Sequence, residues 1–230
     1  MSFFYIKFPA QTVKIDSLFA AFKVAKNDTT KMNVLLALVE NIDNSLEWEK
    51  YNQQAKELAE KLSQSTDPAL SKCGKHGLAN AINNIGFSYH KQGKLDDALE
   101  QFKKSLKINQ ELGNRSGIAL ALNNIGSIYD IQGNTTSALE CYERGLKIRE
   151  EMGDQKNIAV ALNNMAGFYT DMGNIAKALE LYSRSLKIYE LIDNQKGKAK
   201  VLNNIGLIYK NQGDLFKALE YFTKSLKISK

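Results

Sequence analysis

The chain repeats itself every 40 residues, and few folds accommodate so strict a period. Asn83, Asn123, Asn163 and Asn203 stand 40 apart, as do Gly93, Gly133, Gly173 and Gly213, and Ala98, Ala138, Ala178 and Ala218. The copies read INNIGFSYHKQGKLDDALE from Ile82, LNNIGSIYDIQGNTTSALE from Leu122, LNNMAGFYTDMGNIAKALE from Leu162 and LNNIGLIYKNQGDLFKALE from Leu202. A fixed period in this range marks stacked supersecondary units, each of which buries its apolar face only against its neighbours. With 43% hydrophobic and 24% charged residues over 230 positions, the chain has the composition of a folded protein and can close such a core.

Each unit contains two apolar series at helical spacing. In the second regular copy the first is Ile118, Leu122, Ile125, Gly126 and Tyr129, and the second is Ala138, Leu139, Tyr142, Leu146 and Ile148. Offsets of three, four and seven place each series on one face of an α-helix. Gly133 follows the first series, where a residue able to take positive φ closes a helix. Asn134, Thr135 and Thr136 can then cap the next one, and Gly153 ends it. Gly126 serves a different purpose, since it sits inside a helix at a cost of about 1 kcal/mol relative to alanine. Its smallness predicts close approach of the partner helix at Ala138, and Ala166 holds the same place in the next copy.

Leu122, Ile125, Gly126, Tyr129, Gly133, Ala138, Tyr142 and Gly145 have the spacing and character of tetratricopeptide repeat signature positions, so the chain resembles that family from about Asp28 onward. The resemblance implies an all-α fold: an α-solenoid, wound as a right-handed superhelix, of about five helix pairs plus an N-terminal helix. The proline that usually closes the second helix is replaced by Glu150, which predicts a longer second helix, as in the 40-residue repeats of kinesin light chains and bacterial signalling proteins. The small residue late in the second helix varies among Ser105, Gly145, Ser185 and Ser225.

The expected organisation is an arm and leading helix over 1–27, a divergent pair over 28–66, a linker or extended segment over 67–77, and repeats over 78–117, 118–157, 158–197 and 198–230. Met32, Leu35, Leu36 and Val39 supply the first helix of the divergent pair, and residues 48–62 the second, with Trp48 where a small residue is expected. Asp67-Pro68 reads as a helix start. Ile15, Leu18, Phe19 and Phe22 place a leading helix on the first pair. The opening MSFFYIKFPAQ is either a hydrophobic arm or the remnant of an export signal, although it lacks a basic leader and Lys7 interrupts its core. The compartment follows: cytoplasmic as the chain stands, exported if the first ten residues are such a remnant. No apolar run reaches the roughly 18 residues that span a membrane.

In an α-solenoid the first helices line the concave wall. At about 100° per residue, the residues opposite Leu122, Ile125 and Tyr129 are Leu120, Asn123, Asn124, Ser127 and Ile131. Their equivalents are Asn80, Asn83, Asn84, Phe87 and Lys91, then Val160, Asn163, Asn164, Gly167 and Asp171, then Lys200, Asn203, Asn204, Leu207 and Asn211. An asparagine amide offers both donor and acceptor, so a row of them can hold the backbone of an extended peptide. Asn83, Phe87, Leu120, Asn123, Ser127, Asn163, Asn203 and Leu207 are the expected groove residues. Asn84, Asn124, Asn164 and Asn204 are expected to bridge neighbouring helices. The resemblance to peptide-binding members of the family supports this reading; the lysines and arginine that clamp acidic chaperone tails are replaced here mainly by asparagine.

The remaining features point away from chemistry. His76 and His90 have no metal-ligand spacing, Cys73 and Cys141 imply no disulfide framework, and each NNIG glycine lies within a helix rather than in a phosphate loop. No cofactor, metal or catalytic residue is expected. The net charge of +6 is scattered, which argues against nucleic acid. Lys107, Lys147, Lys187 and Lys227 form a row that complements the helix dipoles. The expected function is a non-catalytic scaffold holding a peptide or protein segment in the concave groove. The alternative is the sensory or regulatory segment of a larger bacterial signalling protein whose histidine kinase, cyclase or transcription-regulator output lies beyond Lys230. Leu219, Phe222, Leu226 and Ile228 near the C-terminus predict an apolar end that pairs in a homodimer or meets a downstream domain.

Overall fold

A computed structural model describes residues 9–42 and 45–228. Among these residues there are eleven α-helices and no strand: α1 (Pro9–Val24), α2 (Asp28–Val39), α3 (Ser45–Ser63), α4 (Pro68–Lys91), α5 (Leu95–Glu111), α6 (Arg115–Ile131), α7 (Thr135–Met152), α8 (Gln155–Asp171), α9 (Ile175–Leu191), α10 (Gln195–Asn211) and α11 (Leu215–Ile228). Apart from α1 they follow one another as five pairs of the all-α solenoid type. The opening residues 1–8, which bear on the export-signal question, lie outside the described residues. The chain divides into two compact units, Met1–Ala121 and Leu122–Lys230.

In the first unit the core is formed by Met32, Leu35, Leu36 and Leu38 of α2 with Ala55, Ala59 and Leu62 of α3. Ile15, Leu18, Phe19 and Phe22 of α1 and Trp48 of α3 pack on its flank. Asn27 starts α2 by accepting from Thr30 N at 2.7 Å, and Asp67 starts α4 by accepting from Ala69 N at 2.8 Å, with Pro68 in the first turn, where its missing N–H costs nothing. Residues 68–77, expected to form a linker, are instead helical and continuous with the first helix of the next pair. Two glycines explain how so long a helix fits: a Cβ on Gly74 would fall on the backbone of Leu62 and Ser63, and one on Gly77 would strike Met32. Ser71 Oγ donates to Ser63 O at 2.7 Å and fastens the turn.

The second unit shows the regular pairing. Leu162, Met165, Ala166 and Phe168 of α8 pack with Ala178, Leu181 and Tyr182 of α9, and Val201, Ile205 and Ile208 of α10 close over them. Smallness at the mid-helix position has the expected cause. A Cβ on Gly126 would lie 3.0 Å from Tyr142 Cε1 and 3.3 Å from Ala138 O, and one on Gly206 would lie 2.7 Å from Phe222 Cε1. The serine late in the second helix does more than stay small. Ser185 Oγ donates to Ala159 O and Ser225 Oγ to Ala199 O, each at 2.8 Å, and in the first unit Ser105 Oγ donates to Ala79 O at 2.9 Å. These bonds fix the second helix against the first. With Glu150 in place of proline, α7 continues to Met152 and ends at Gly153 with φ +68°.

Candidate functional site

On α4 of the first unit the exposed stripe runs through Asn80, Phe87 and Lys91, with Asn83 and Asn84 half-buried beside it. Phe87 is 46% exposed, unusual for so large an apolar side chain, and Lys91 Nζ sits 4.8 Å from its ring centroid. Leu120 of α6 is 43% exposed. Asn84 Nδ2 donates to Asn52 Oδ1 at 3.1 Å, and the buried Asn52 donates in turn to Ala81 O at 3.1 Å. Asn52 lies on α3, a position the 40-residue arithmetic does not reach.

In the second unit the amides form a connected chain. Asn204 Nδ2 donates to Asn163 Oδ1 at 3.1 Å, Asn163 Nδ2 to Asn164 Oδ1 at 3.4 Å, and Asn164 Nδ2 to Asn123 Oδ1 at 3.1 Å. The second asparagine of one repeat thus bonds to the first of the repeat before it. A chain of this kind polarises its members and commits the oxygens of Asn123, Asn163 and Asn164 to the fold. Each amide carries two N–H groups, so what such a row can offer a ligand is mainly donors. Asn163 is 6% exposed, because α8 has a first helix on either side of it, whereas Asn203 on α10 is exposed and Asn123 half-buried. Asn124 is half-buried as well. Ser127, Val160 and Gly167 are half-buried, while Ile131, Asp171, Lys200, Leu207 and Asn211 are exposed.

Charge on this face is uneven. Burial, and then the neighbouring charge of Asp171, push the Asp130 carboxyl above the usual carboxylate range. Burial likewise raises the Tyr142 hydroxyl, with Asp130 adding to it, while a hydrogen bond with Ser127 opposes the shift. Tyr182, also raised by burial, bonds to Thr170 and Asn204 and so joins the amide row. Among the described residues no three histidine, cysteine or acidic side chains gather as metal ligands, and no helix is long and apolar enough to cross a membrane. Lys107, Lys147, Lys187 and Lys227 are exposed on the second helices.

The tetratricopeptide repeat family model matches residues 77–151 and 157–230. The chain belongs to the tetratricopeptide repeat family. No curated protein matches it. Tetratricopeptide-type folds similar to it include BtubC (BKLC) from P. vanneervenii, at 20% identity and a TM-score of 0.65 over 96% of this chain and 88% of that one. A Rap protein complexed with Competence and Sporulation Factor aligns at 20% identity and a TM-score of 0.73, over 96% of this chain and 60% of that one. A putative kinesin light chain from Podosopora anserina aligns at 15% identity and a TM-score of 0.56, over 89% and 97%. At these identities the likeness is one of fold. Apart from Gly133, which closes α6 at φ +75° and is exposed, the signature positions recognised in the sequence are the positions that pack in the structure; the Asn52, Asn163 and serine bonds were not recognisable, because each joins residues whose spacing marks neither a helix face nor a motif.

Proposed function

We propose that the first-helix face of this tetratricopeptide protein is a non-catalytic peptide-binding surface, with amide N–H groups recognising peptide carbonyls and apolar side chains recognising what lies between. The observation that carries this is the alternation on that face. Within the second unit Asn123 and Asn203 flank exposed Ile131 and Leu207, and within the first Asn80 accompanies exposed Phe87. These exposed large apolar residues set among amides belong to neither core cluster, and they fit a partner of low net charge. The Rap protein of similar fold was solved with Competence and Sporulation Factor bound, which is in keeping with this reading.

The amide chain allows a clean test. Aspartate at 123 keeps an oxygen that accepts from Asn164, while it replaces the N–H groups with a second, negatively charged acceptor that peptide carbonyls avoid. Asn123→Asp with Asn203→Asp should therefore leave thermal unfolding within about 2 °C, yet weaken a peptide selected from a displayed library at least tenfold, about 1.4 kcal/mol. Unchanged affinity would refute the donor role.

A second reading, the regulatory segment of a larger signalling protein, is favoured by α11. Phe216 is 82% exposed, and Leu215, Leu219 and Leu226 are also bare. Ile175, Leu179 and Leu186, 40 residues earlier, pack against the core. The corresponding residues of α11, Leu215, Leu219 and Leu226, would receive a further helix supplied by chain beyond Lys230. The coding sequence decides it: in-frame repeats or an output domain support this reading, and a stop codon there overturns it.

A further inference from the structure

One position governs how each second helix meets the first helix that follows it, and three repeats fill it differently. Asn109, Arg149 and Tyr189 stand 40 residues apart near the ends of α5, α7 and α9, and they are only 2%, 5% and 5% exposed. In the first unit Asn109 is satisfied: its Nδ2 donates to Ser105 O at 2.9 Å, and its Oδ1 accepts from Asn114 Nδ2 at 2.7 Å. In the second unit Tyr189 belongs to the core cluster and lies against Gly197, where an added Cβ would collide with its ring. Gly117 leaves the same room beside Asn109. The α7–α8 joint has neither solution. Asn157 carries a side chain where its counterparts are Gly117 and Gly197, and Arg149 Nη1 is buried without a partner among the described residues. Asp154, the acid whose charge reaches Arg149, turns its carboxylate oxygens to Asn157, at 3.2 Å from N and 2.7 Å from Nδ2. The backbone bond that closes the turn is also the longest of three. Asp154 N donates to Arg149 O at 3.2 Å, against 2.9 Å for both Asn114 N to Asn109 O and Asn194 N to Tyr189 O.

A buried N–H with no acceptor has lost its water and gained nothing in exchange. Opening a joint that holds one restores hydration, whereas opening the other two breaks a hydrogen bond or uncovers a ring. Local opening starts where a structure is least secured, and in a stack of repeats each joint contributes its own stability. The far end of α8 is held, since Phe168 lies edge-on to Tyr142 of α7 with 5.6 Å between ring centres. We propose that the α7–α8 joint is a hinge built into the second unit. The first turn of α8 parts from the last turn of α7 about the Phe168–Tyr142 contact, ahead of global unfolding, and rewets Arg149. Asn164 on α8 donates to Asn123 on α6, so the hinge sets the spacing between two stations of the amide row. This goes beyond peptide recognition and does not depend on it.

Residue-resolved hydrogen exchange by NMR on the full chain, with no ligand added, reads each joint separately. Six amides form three matched pairs: Asn114 with Ile118, Asp154 with Ile158, and Asn194 with Lys198. Within the pairs Ile118, Ile158 and Lys198 N donate to Asn114, Asp154 and Asn194 O at 2.9, 2.8 and 3.0 Å, so the helix starts are alike. After correction for intrinsic rates, Asp154 and Ile158 should exchange at least tenfold faster than the other four. Their rates should stay flat in urea below the unfolding transition, as local opening requires. Arg149→Met removes the stranded donor and should bring both amides to within about threefold of their counterparts, leaving the counterparts unchanged. Arg149→Tyr with Asn157→Gly, which installs the α9–α10 arrangement, should do the same. Equal protection in all three joints, an excess that survives both variants, or rates that climb with urea as steeply as global unfolding would overturn the proposal.

Discussion

Replacing Gly126 with leucine should destabilise the protein by about 3 kcal/mol or more, and the geometry sets the scale. A Cβ alone would stand 3.0 and 3.1 Å from Tyr142 ring carbons and 3.3 Å from the Ala138 carbonyl oxygen. Those contacts ask the ring to retreat by a few tenths of an ångström, an overpacking cost of about 1–3 kcal/mol. A helix-propensity gain of about 1 kcal/mol for removing glycine offsets part of it. Gly126→Ala is therefore expected to be close to neutral or mildly destabilising, and Ala166 occupies the equivalent place opposite Tyr182 with full burial. Leucine adds three further carbons where Tyr142 is already packed, and the helices must separate to admit them. At this chain length about 3 kcal/mol corresponds to a fall in Tm of roughly 6–12 °C. Gly86→Ala, whose Cβ would lie 2.8 Å from the Phe102 ring, should fall between the two Gly126 variants. Urea unfolding followed by circular dichroism gives the order. If Gly126→Leu unfolds with the wild type, the glycine is not at a helix contact and the repeat register is wrong.

Four further outcomes are expected. Asn163→Ala should cost about 1–3 kcal/mol, because it strands the Asn204 donor in a half-buried site, whereas Asn203→Ala should stay within about 0.5 kcal/mol in the same urea titration. Arg149 is buried with its Nη1 unpartnered; Arg149→Met keeps the length, removes the stranded donor and should stabilise by about 1–2 kcal/mol. Asp193 takes φ +50° where the two preceding repeats use Gly113 and Gly153, so Asp193→Gly should raise stability by about 1 kcal/mol. For Asp130 the folded pKa lies above the usual 3.8, so the native state holds more protons than the unfolded one between those two values. Its contribution to stability therefore rises as pH falls through the folded pKa and levels off below 3.8. Asp130→Asn should stabilise at neutral pH and flatten that part of a Tm-against-pH curve.

The 40-residue period and the three-and-four offsets made the helix pairs legible, because residues such as Leu122, Ile125 and Ala138 serve one purpose in every copy. What stayed hidden has a common cause. A single apolar stripe assumes one buried face, but a first helix in a stack is flanked by other first helices, so Ile128, Phe168 and Ile208 are buried on a second flank. The same flanking buries Asn163, which the helical wheel places toward the groove, and it pairs amides 41 residues apart, a separation that follows only from stacking. Residues 67–77 read as a linker because Leu36 stands 50 rather than 40 residues before Gly86, which leaves about ten residues outside the period, Gly74 and Gly77 among them. The purpose of these two glycines, room for α3 and Met32, shows only once the helices touch. Of the candidate site, the outward direction of Phe87, Leu120, Asn203 and Leu207 was legible, as was the bridging of helices by Asn84, Asn164 and Asn204; that the bridges end on Asn52, Asn123 and Asn163 was not.

The most direct test of peptide recognition by the first-helix amides is an NMR titration of protein labelled with ¹⁵N at the asparagine side chains, using a peptide selected from a displayed library. The side-chain NH₂ signals of Asn80, Asn123 and Asn203 should shift and their hydrogens exchange more slowly as the peptide saturates, while Asn52, buried in the first unit, stays unmoved. Saturating binding that leaves those three amides where they were, and instead perturbs the second helices around Lys147 and Lys187, would contradict the account.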